Sequence, residues 1–245
     1  MAALTASVLF AWLASGLPAP AARRPAHVVA DPPRILNIVR QKLKAGTSHS
    51  YEALETAIVT AFEQAHVPLF WIMLQSRTDA TDIVYLNVAT SLEEWEDMPA
   101  RYRKAVAAHP ELERMSARLA TFIDHSTSTL TTRRDEIPFS LTGVDLQTMR
   151  ALRLTVFAIN AGHEGRFVNA ARGASGRAAP WLLYEANDAP TFMVVTPLRA
   201  ATHTKKAPEI TRRLQALKDE RTASADGVYA VRLHMSRPPK GWMGR

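Results

Sequence analysis

Two similar stretches of sequence constrain the fold of this chain more than any other feature. They read "KAGTSHSYEAL" (44–54) and "NAGHEGRFVNA" (160–170). Each follows an apolar run and contains an Ala-Gly pair, and an aromatic residue, Tyr51 or Phe167, comes five residues after the glycine. A glycine between a β-rich run and an amphipathic run is typical of a turn from strand to helix. Two such turns predict one structural unit that is present twice.

The runs around the first turn predict six elements in the order β-α-β-β-α-β. Alternating and β-branched residues indicate strands, and apolar residues every three or four positions indicate helices. The predicted elements are a strand over 34–43, a helix over 50–67, a hairpin of 69–76 and 82–90, a helical region after the capping box of Ser91 and Glu94 that restarts at Pro110, and a strand over 126–136.

The second half of the chain repeats this order. Its predicted elements are a strand over 149–159, a helix over 163–173, a hairpin of 180–188 and 191–198, a helix over 208–223 and a strand over 227–235. Trp71 and Trp181 fall at comparable places on the second strand of each half. The predicted fold class is α+β, with βαββαβ repeats over 33–136 and 148–237 and a linker over 137–147.

The element order and the G-x-x-x-x-[YF] turn, at Gly46–Tyr51 and Gly162–Phe167, resemble the ferredoxin-like unit of the dimeric α/β barrel superfamily. The chain is also similar to exported bacterial proteins of unknown function that contain tandem units. The resemblance implies two antiparallel sheets that pack as an intramolecular dimeric α/β barrel, often with a cavity between them. The superfamily includes cofactor-free monooxygenases, haem-handling enzymes and small-molecule-binding domains, and it has no shared catalytic motif. The resemblance therefore transfers no functional residue.

The N-terminal segment predicts export. Residues 1–17 carry no charged side chain, and small residues and prolines follow, which is typical of a secretory signal peptide. We expect a signal peptide over 1–30, with cleavage after Ala21 or Ala30, and a periplasmic or secreted protein. Because no Lys or Arg precedes the apolar run, an uncleaved anchor stays open. The run is shorter than the roughly 20 residues that span a bilayer, so no stable membrane span is expected after cleavage.

Composition limits the chemistry and the partners. The chain has no cysteine, which excludes disulfides, thiolate metal sites and cysteine nucleophiles. The net charge is +7, but the basic residues are scattered and form no run with interleaved aromatics, so nucleic acid is not an expected partner. Histidines and carboxylates show no metal-like spacing, and no metal or cofactor is predicted. Whether the chain forms a homo-oligomer stays open.

The predicted last strand, "GVYAVRLHM" (227–235), supplies two candidate catalytic residues. Its side chains alternate between two faces. One set suits the helix-covered core, and it consists of Tyr229, Val231, Leu233 and Met235. The other set includes Arg232 and His234, which we expect to line a pocket between the repeats, where a histidine can act as an acid, a base or a ligand.

The same alternation predicts a ligand-binding surface between the sheets. On the first sheet its expected members are Asn37, Gln41, Trp71, Gln75, Tyr85 and Asn87, and on the second they are Trp181 and Tyr184. Aromatic side chains with a few amides suit a small, mostly apolar ligand. Plain packing between the sheets is the alternative reading for the tryptophans.

Two classes of function follow. The first is non-catalytic binding of a small apolar ligand or a protein partner by an exported protein. The alternative is a cofactor-independent monooxygenase or a haem-handling enzyme with its site between the repeats. A buried histidine with a shifted pKa in an inter-sheet cavity favours the enzyme. A space filled by side chains favours a structural or partner-binding role.

Overall fold

The computed structural model describes residues 32–67, 69–138, 149–174, 181–198 and 208–239. The predicted signal peptide and residues 139–147 of the predicted linker lie outside the described residues. The elements are β1 (Ile35–Leu43), α1 (Ser48–Gln64), β2 (Trp71–Ser76), β3 (Asp82–Ala89), α2 (Leu92–Ala108), α3 (Pro110–Ala120), β4 (Ile123–Arg133), β5 (Ala151–Ile159), α4 (Glu164–Ala174), β6 (Leu182–Ala186), β7 (Thr191–Leu198), α5 (Glu209–Gln215) and β8 (Arg221–Val231).

The strands of the described residues form one closed antiparallel barrel. Its strand order is β1-β3-β2-β8-β5-β7-β6-β4. Strands of the first half are neighbours in the order β4-β1-β3-β2, and those of the second half in the order β8-β5-β7-β6. Short pairings of β2 with β8 and of β4 with β6 close the ring. The fold is therefore a mixed α/β structure built on an antiparallel barrel.

The predicted strand-to-helix turns form at both glycines. Gly46 has a φ of 78° and Gly162 a φ of 84°, in the left-handed region that glycine adopts without a steric cost. Each turn leads into a helix whose first core residue, Tyr51 or Phe167, is fully buried. The aromatic residue thus anchors the helix to the sheet directly after the turn.

Three apolar clusters hold the fold together. The barrel interior contains side chains from strands of both halves, among them Ile38, Leu86, Leu154, Val195 and Val231. Helices α1 to α3 bury a second cluster against the outer face of the first sheet. Helices α4 and α5 bury a third against the second sheet. Most strands are therefore covered on both faces, so alternation does not distinguish a polar side from an apolar one.

The predicted helix over 208–223 is too long. Helix α5 ends at Gln215, a 3₁₀ turn follows at 218–220, and β8 begins at Arg221, which pairs with Ile159. The long strand pairs along the length of β5. Its first residues, 222–226, are exposed and lack the apolar alternation that marks a strand, so the sequence pattern did not indicate it.

Beyond β8 the chain makes a large bulge, which we call the C-terminal bulge (232–236). Val231 pairs with Leu74, and Arg237 pairs with Trp71, so the whole bulge lies opposite only two residues of β2. A bulge interrupts strand alternation and re-aims side chains. Here it directs Met235 into the cluster under α1 to α3, whereas the preceding strand residues point into the barrel.

Candidate functional site

The predicted ligand-binding residues of the first sheet lie on the face opposite to the expected one. Trp71 and Tyr85 pack under α1 to α3. The other members share that face by strand alternation, and they are Asn37, Gln41, Gln75 and Asn87. The expected inner placement was wrong because both faces of the sheet are buried, which removes the contrast on which it rested. The residues still come together, but beneath the helices.

The two candidates of the second sheet separate. Trp181 packs under α4 and α5, so its expected inner placement was also wrong. Tyr184 faces the barrel interior, where its hydroxyl donates to the backbone oxygen of Pro33 at 2.8 Å. Gln75 lies at the end of its hairpin, and its amide donates to the backbone oxygen of Ala80 at 2.9 Å. A role of these residues in ligand binding stays a prediction.

Arg232 and His234 lie in the C-terminal bulge, outside the barrel, and not in a pocket between the halves. Both contact Glu52 of α1, with Arg232 Nη2 at 2.6 Å and His234 Nε2 at 2.7 Å from Glu52 Oε1. Partial burial opposes ionisation of Glu52, but these two hydrogen-bonded partners outweigh it and lower its pKa. The three side chains tie the bulge to α1, and a catalytic role for Arg232 or His234 stays a prediction.

Helix α1 carries a carboxyl group on its buried face. Glu55 lies four residues after Tyr51 and three before Ile58, so helical periodicity places it in the apolar stripe. Its side chain is fully buried, and neither carboxyl oxygen has a hydrogen-bond partner. Burial raises the pKa of Glu55 to about 8. Glu55 is not among the residues predicted from the sequence, although a lone acid within an apolar stripe is a signal that could have found it.

Two tyrosines connect Glu55 to the sheet. The hydroxyl of Tyr51 donates to Gln41 Oε1 at 2.8 Å, and the hydroxyls of Tyr51 and Tyr85 share a hydrogen bond. Tyr85 and the Trp71 indole are polar neighbours of Glu55, but neither completes a hydrogen bond to it. Burial also raises the pKa of both tyrosines well above 10. At neutral pH the cluster is thus a mostly protonated carboxyl beside two phenols.

The C-terminal bulge fixes Trp71 against this cluster. The indole N–H of Trp71 donates to the backbone oxygen of Met235 at 2.9 Å, and the next bond is from the backbone N–H of Met73 to Ser236 Oγ, also at 2.9 Å. The Trp71 ring meets Phe62 edge-on, with ring centroids 5.5 Å apart. The indole is therefore held in one orientation beside Glu55.

A second buried polar atom on this face lacks a partner. Asn87 Oδ1 accepts no hydrogen bond, although its amide nitrogen donates to the backbone oxygen of Asn37 at 3.5 Å. Asn87 is two residues from Tyr85 on the same side of β3 and pairs directly with Trp71. Buried polar groups without partners are rare in folded proteins. The corresponding residue of the second half, Thr196, also has a buried side-chain oxygen without a partner, so Asn87 does not mark a site specific to the first half.

Corresponding positions of the second half hold apolar residues. Strands β1 and β5 match because each is central in its half and has an irregularity before its last residue. The resulting pairs are Tyr51 with Phe167, Glu55 with Ala171, Gln41 with Phe157 and Tyr85 with Val194. Phe157 and Phe167 pack with ring centroids 5.2 Å apart where the first half has a hydrogen bond. The fold therefore does not require the polar cluster.

Other pairs recur in both halves and have a structural explanation. Ser128 Oγ donates to Asn37 Oδ1 at 2.7 Å, and the corresponding residues of the second half are Arg153 and Asp226, whose side chains form an ion pair at 2.8 Å. Trp71 and Trp181 also correspond and are both buried. Because these features occur on both sheets, they do not mark a site specific to the first half.

Little space remains between the two sheets. One cavity, of about 50 Å³, has an apolar lining that includes Leu36, Leu152 and Tyr184. Another, of about 80 Å³, lies beside Arg40 and Asp226. Ligand pockets are typically about 300–1,000 Å³. The barrel interior is thus filled mainly by its own side chains, contrary to the expected ligand cavity.

Neither of the two cavities is lined by a histidine that could bind a haem. Haem iron takes His, Cys, Met or Tyr as an axial ligand beside a flat open space. No histidine in the described ranges is buried, and His109, His125, His163 and His234 each face a carboxylate. The same part of the chain contains no group of three or more His, Asp or Glu side chains that could hold a metal ion. It also contains no helix with the length and apolar character needed to cross a membrane.

The closed antiparallel barrel with helices on its outer faces is also the fold of several solved structures. No protein-family model and no curated protein matches the sequence. Among solved structures, a "putative monooxygenase" from Fusobacterium nucleatum is 11% identical, with a TM-score of 0.57 and 88% of this chain and 98% of that chain covered.

Two further solved structures show the same fold. A second "putative monooxygenase", from Lactobacillus acidophilus, is 7% identical, with a TM-score of 0.50 over 81% of this chain and 94% of that chain. A mutant chlorite dismutase from Candidatus Nitrospira defluvii, in complex with cyanide, is 12% identical, with a TM-score of 0.51 over 83% and 92%. At these identities the similarity establishes the fold alone.

Proposed function

We propose that this protein is a cofactor-independent monooxygenase, an enzyme that removes a proton from a small, largely apolar substrate before the substrate reacts with O₂. The observation that carries the proposal is Glu55, a fully buried carboxyl without a partner where the second half has Ala171. Its place moves the expected site from between the repeats to the space between α1 and the first sheet. Two structures with this fold bear the name "putative monooxygenase", which is compatible with the proposal.

The chemistry follows from the state of the carboxyl. A group with a pKa of about 8 gains and loses a proton readily near neutral pH, which suits a general base. Ionised Glu55 removes a proton from an acidified methylene group of the substrate, and the resulting carbanion is electron-rich enough to react with O₂. The balanced reaction converts CH₂ and O₂ into C=O and H₂O, so the substrate supplies all the electrons and no reductant is needed.

The surroundings of Glu55 define what the site accepts. The cluster around it is built from apolar and aromatic side chains such as Phe62, Met73 and Met98. No Lys or Arg is among the groups that shift the pKa of Glu55. A charged substrate would lack a counter-ion there, so the site favours a neutral one. Because Glu55 is closed from solvent, entry requires α1 or the C-terminal bulge to move.

Oxygen uptake by metal-free protein tests this function. The probes are neutral compounds with an acidic methylene group, each paired with its carboxylated analogue. We expect uptake with the neutral compounds and a loss of roughly 10²–10⁴-fold in kcat for Glu55→Gln. The matched control is Glu96→Gln, an exposed position on α2 that should change nothing. Equal uptake by both variants would contradict the proposal.

We also propose that residues 33–136 and 148–237 are tandem ferredoxin-like repeats joined by 137–147. Their strands follow the same order, both strand-to-helix glycines have a positive φ, and the irregularities of β1 and β5 occupy matching places. In this view the second repeat supports the barrel, and the first carries the site.

Export remains a proposal that rests on residues 1–30 alone. Non-catalytic binding of an apolar ligand or a protein partner also remains a proposal. It becomes the better account if Glu55→Gln leaves ligand binding intact and no substrate consumes oxygen.

A further inference from the structure

The hydrogen bonds beneath α1 run in one direction. Tyr51 has a single hydroxyl hydrogen, which it donates to Gln41 Oε1 at 2.8 Å. The bond between the two tyrosine hydroxyls must then use the hydrogen of Tyr85. Tyr85 therefore has no hydrogen left for Glu55, and its oxygen can only accept.

This direction has a consequence for Glu55. A carboxylate gains nothing from a neighbouring acceptor, whereas a protonated carboxyl can donate to it. We propose that Gln41 and Tyr51 are positioning residues that commit the Tyr85 hydrogen to Tyr51, so that Tyr85 cannot donate to Glu55 and the carboxyl keeps its proton. The inference rests on the proposed function, since it assigns the control of the same proton.

The opposite direction is available through one rotation. If the Gln41 amide turns its nitrogen toward Tyr51, the amide donates to Tyr51, Tyr51 donates to Tyr85, and Tyr85 donates to an ionised Glu55. The amide orientation of Gln41 and the proton on Glu55 are therefore coupled through two hydroxyls. Such a pair of states is what a group that gives up and regains a proton requires.

Few other groups near Glu55 could determine whether it holds its proton. The titratable side chains that face Glu55 are Tyr51 on its own helix and Tyr85 on β3, and its other polar neighbour is the indole of Trp71 on β2. In the second half, Phe157, Phe167 and Val194 stand in place of the hydrogen-bonded chain, and Ala171 stands in place of the acid. The chain and the acid are thus present together in one half and absent together in the other.

The test is the pKa of Glu55, measured by carbon-13 NMR of the side-chain carboxyl in the full protein. Tyr51→Phe frees the hydrogen of Tyr85 to donate to the carboxylate, and Gln41→Met frees it indirectly because Tyr51 then donates to Tyr85. Both variants should lower the pKa of Glu55 by about one unit or more, a tenfold change in proton affinity. Tyr85→Phe leaves no hydroxyl that could be freed to donate to Glu55, so this variant should not lower the pKa.

An unchanged or raised pKa in Tyr51→Phe and Gln41→Met would overturn the inference. Both variants should fold, because phenylalanine already occupies the position that corresponds to Tyr51 and methionine is close to glutamine in size. If one of them fails to fold, the other still provides the test. The measurement needs no substrate. If both variants lower the pKa of Glu55 but Glu55→Gln does not change oxygen uptake, the proposed function is wrong and the inference about the hydrogen bonds still holds.

Discussion

At the residue scale, Glu55 is the feature that packing alone does not explain. An unpartnered carboxyl in an apolar cluster costs folding free energy, and an apolar residue serves the same position in the second half. Residues that reduce stability without a structural benefit are characteristic of functional sites. The nearby Asn37–Ser128 bond differs, because the Arg153–Asp226 pair replaces it on the other sheet.

The pH dependence of stability should reveal this cost. The pKa of Glu55 is about 8 in the folded protein and near 4.5 in an exposed chain. Below pH 4.5 Glu55 is protonated in both the folded and the unfolded protein. Between pH 4.5 and pH 8 only the folded protein keeps this proton, so unfolding releases it and the stability of the folded protein falls as the pH rises. Relative to Glu55→Gln, the wild-type unfolding free energy should fall by on the order of 5 kcal/mol across that range.

Chemical denaturation of both proteins between pH 4 and pH 9 measures this difference. Parallel stability profiles for wild type and Glu55→Gln would show that the carboxyl does not change its ionisation in that range. The Glu96→Gln variant controls for a change of net charge, because that side chain is exposed.

At the element scale, the C-terminal bulge couples the end of β8 to the site. Ser236 accepts the backbone N–H of Met73, and its own hydroxyl donates to the backbone oxygen of Arg232 at 2.8 Å. The same bulge supplies the acceptor for the Trp71 indole. The outer contacts of the bulge, from Arg232 and His234 to Glu52, are partly exposed and therefore contribute less.

Ser236→Ala and His234→Ala should separate these two kinds of contact. Ser236→Ala leaves a buried N–H unpaired and should destabilise the protein by about 1–3 kcal/mol. His234→Ala removes a partly exposed hydrogen bond to Glu52 and should cost about 1 kcal/mol or less, with oxygen uptake unchanged. Denaturation midpoints and uptake rates check both. A large loss of uptake in His234→Ala would instead support the catalytic role predicted for that histidine.

At the scale of the whole molecule, the closed barrel makes the two halves share one core. Leu74 of β2 and Leu154 of β5 lie in the same interior cluster. Neither sheet can expose that face without exposing the other, so the halves should unfold together.

Leu74→Ala and Leu154→Ala test that cooperativity. Each should destabilise the protein by about 2–5 kcal/mol and shift a single transition, seen alike by far-UV circular dichroism and by tryptophan fluorescence. Two separate transitions, each moved by only one of the variants, would show that the halves fold independently.

Export is a property of the full chain and is tested in cells. We expect the mature N-terminus to be Ala22 or Asp31, identified by mass spectrometry of protein from the periplasm or medium. Protein that keeps Met1 and remains with the membrane fraction would indicate an uncleaved anchor.

The sequence predicted the strands better than it predicted their faces. Gly46 and Gly162 marked their turns because glycine tolerates the left-handed backbone there. The faces expected for the first-sheet residues and for Trp181 were wrong because alternation needs a solvated side, and these strands mostly have none. Met235 was assigned to the helix side by an alternation that the bulge interrupts, and it reaches that side only because the bulge re-aims it. Glu55 was predictable from its place in the stripe of α1, but its lack of a partner required the three-dimensional structure.

The central claim is that Glu55 holds a proton at neutral pH beneath α1. Carbon-13 NMR of the wild-type protein labelled at glutamate carboxyls, with the Glu55 signal assigned by its absence in Glu55→Gln, measures this directly. The account predicts a titration midpoint near pH 8 for that signal. A midpoint near the ordinary value of 4.5 would contradict it.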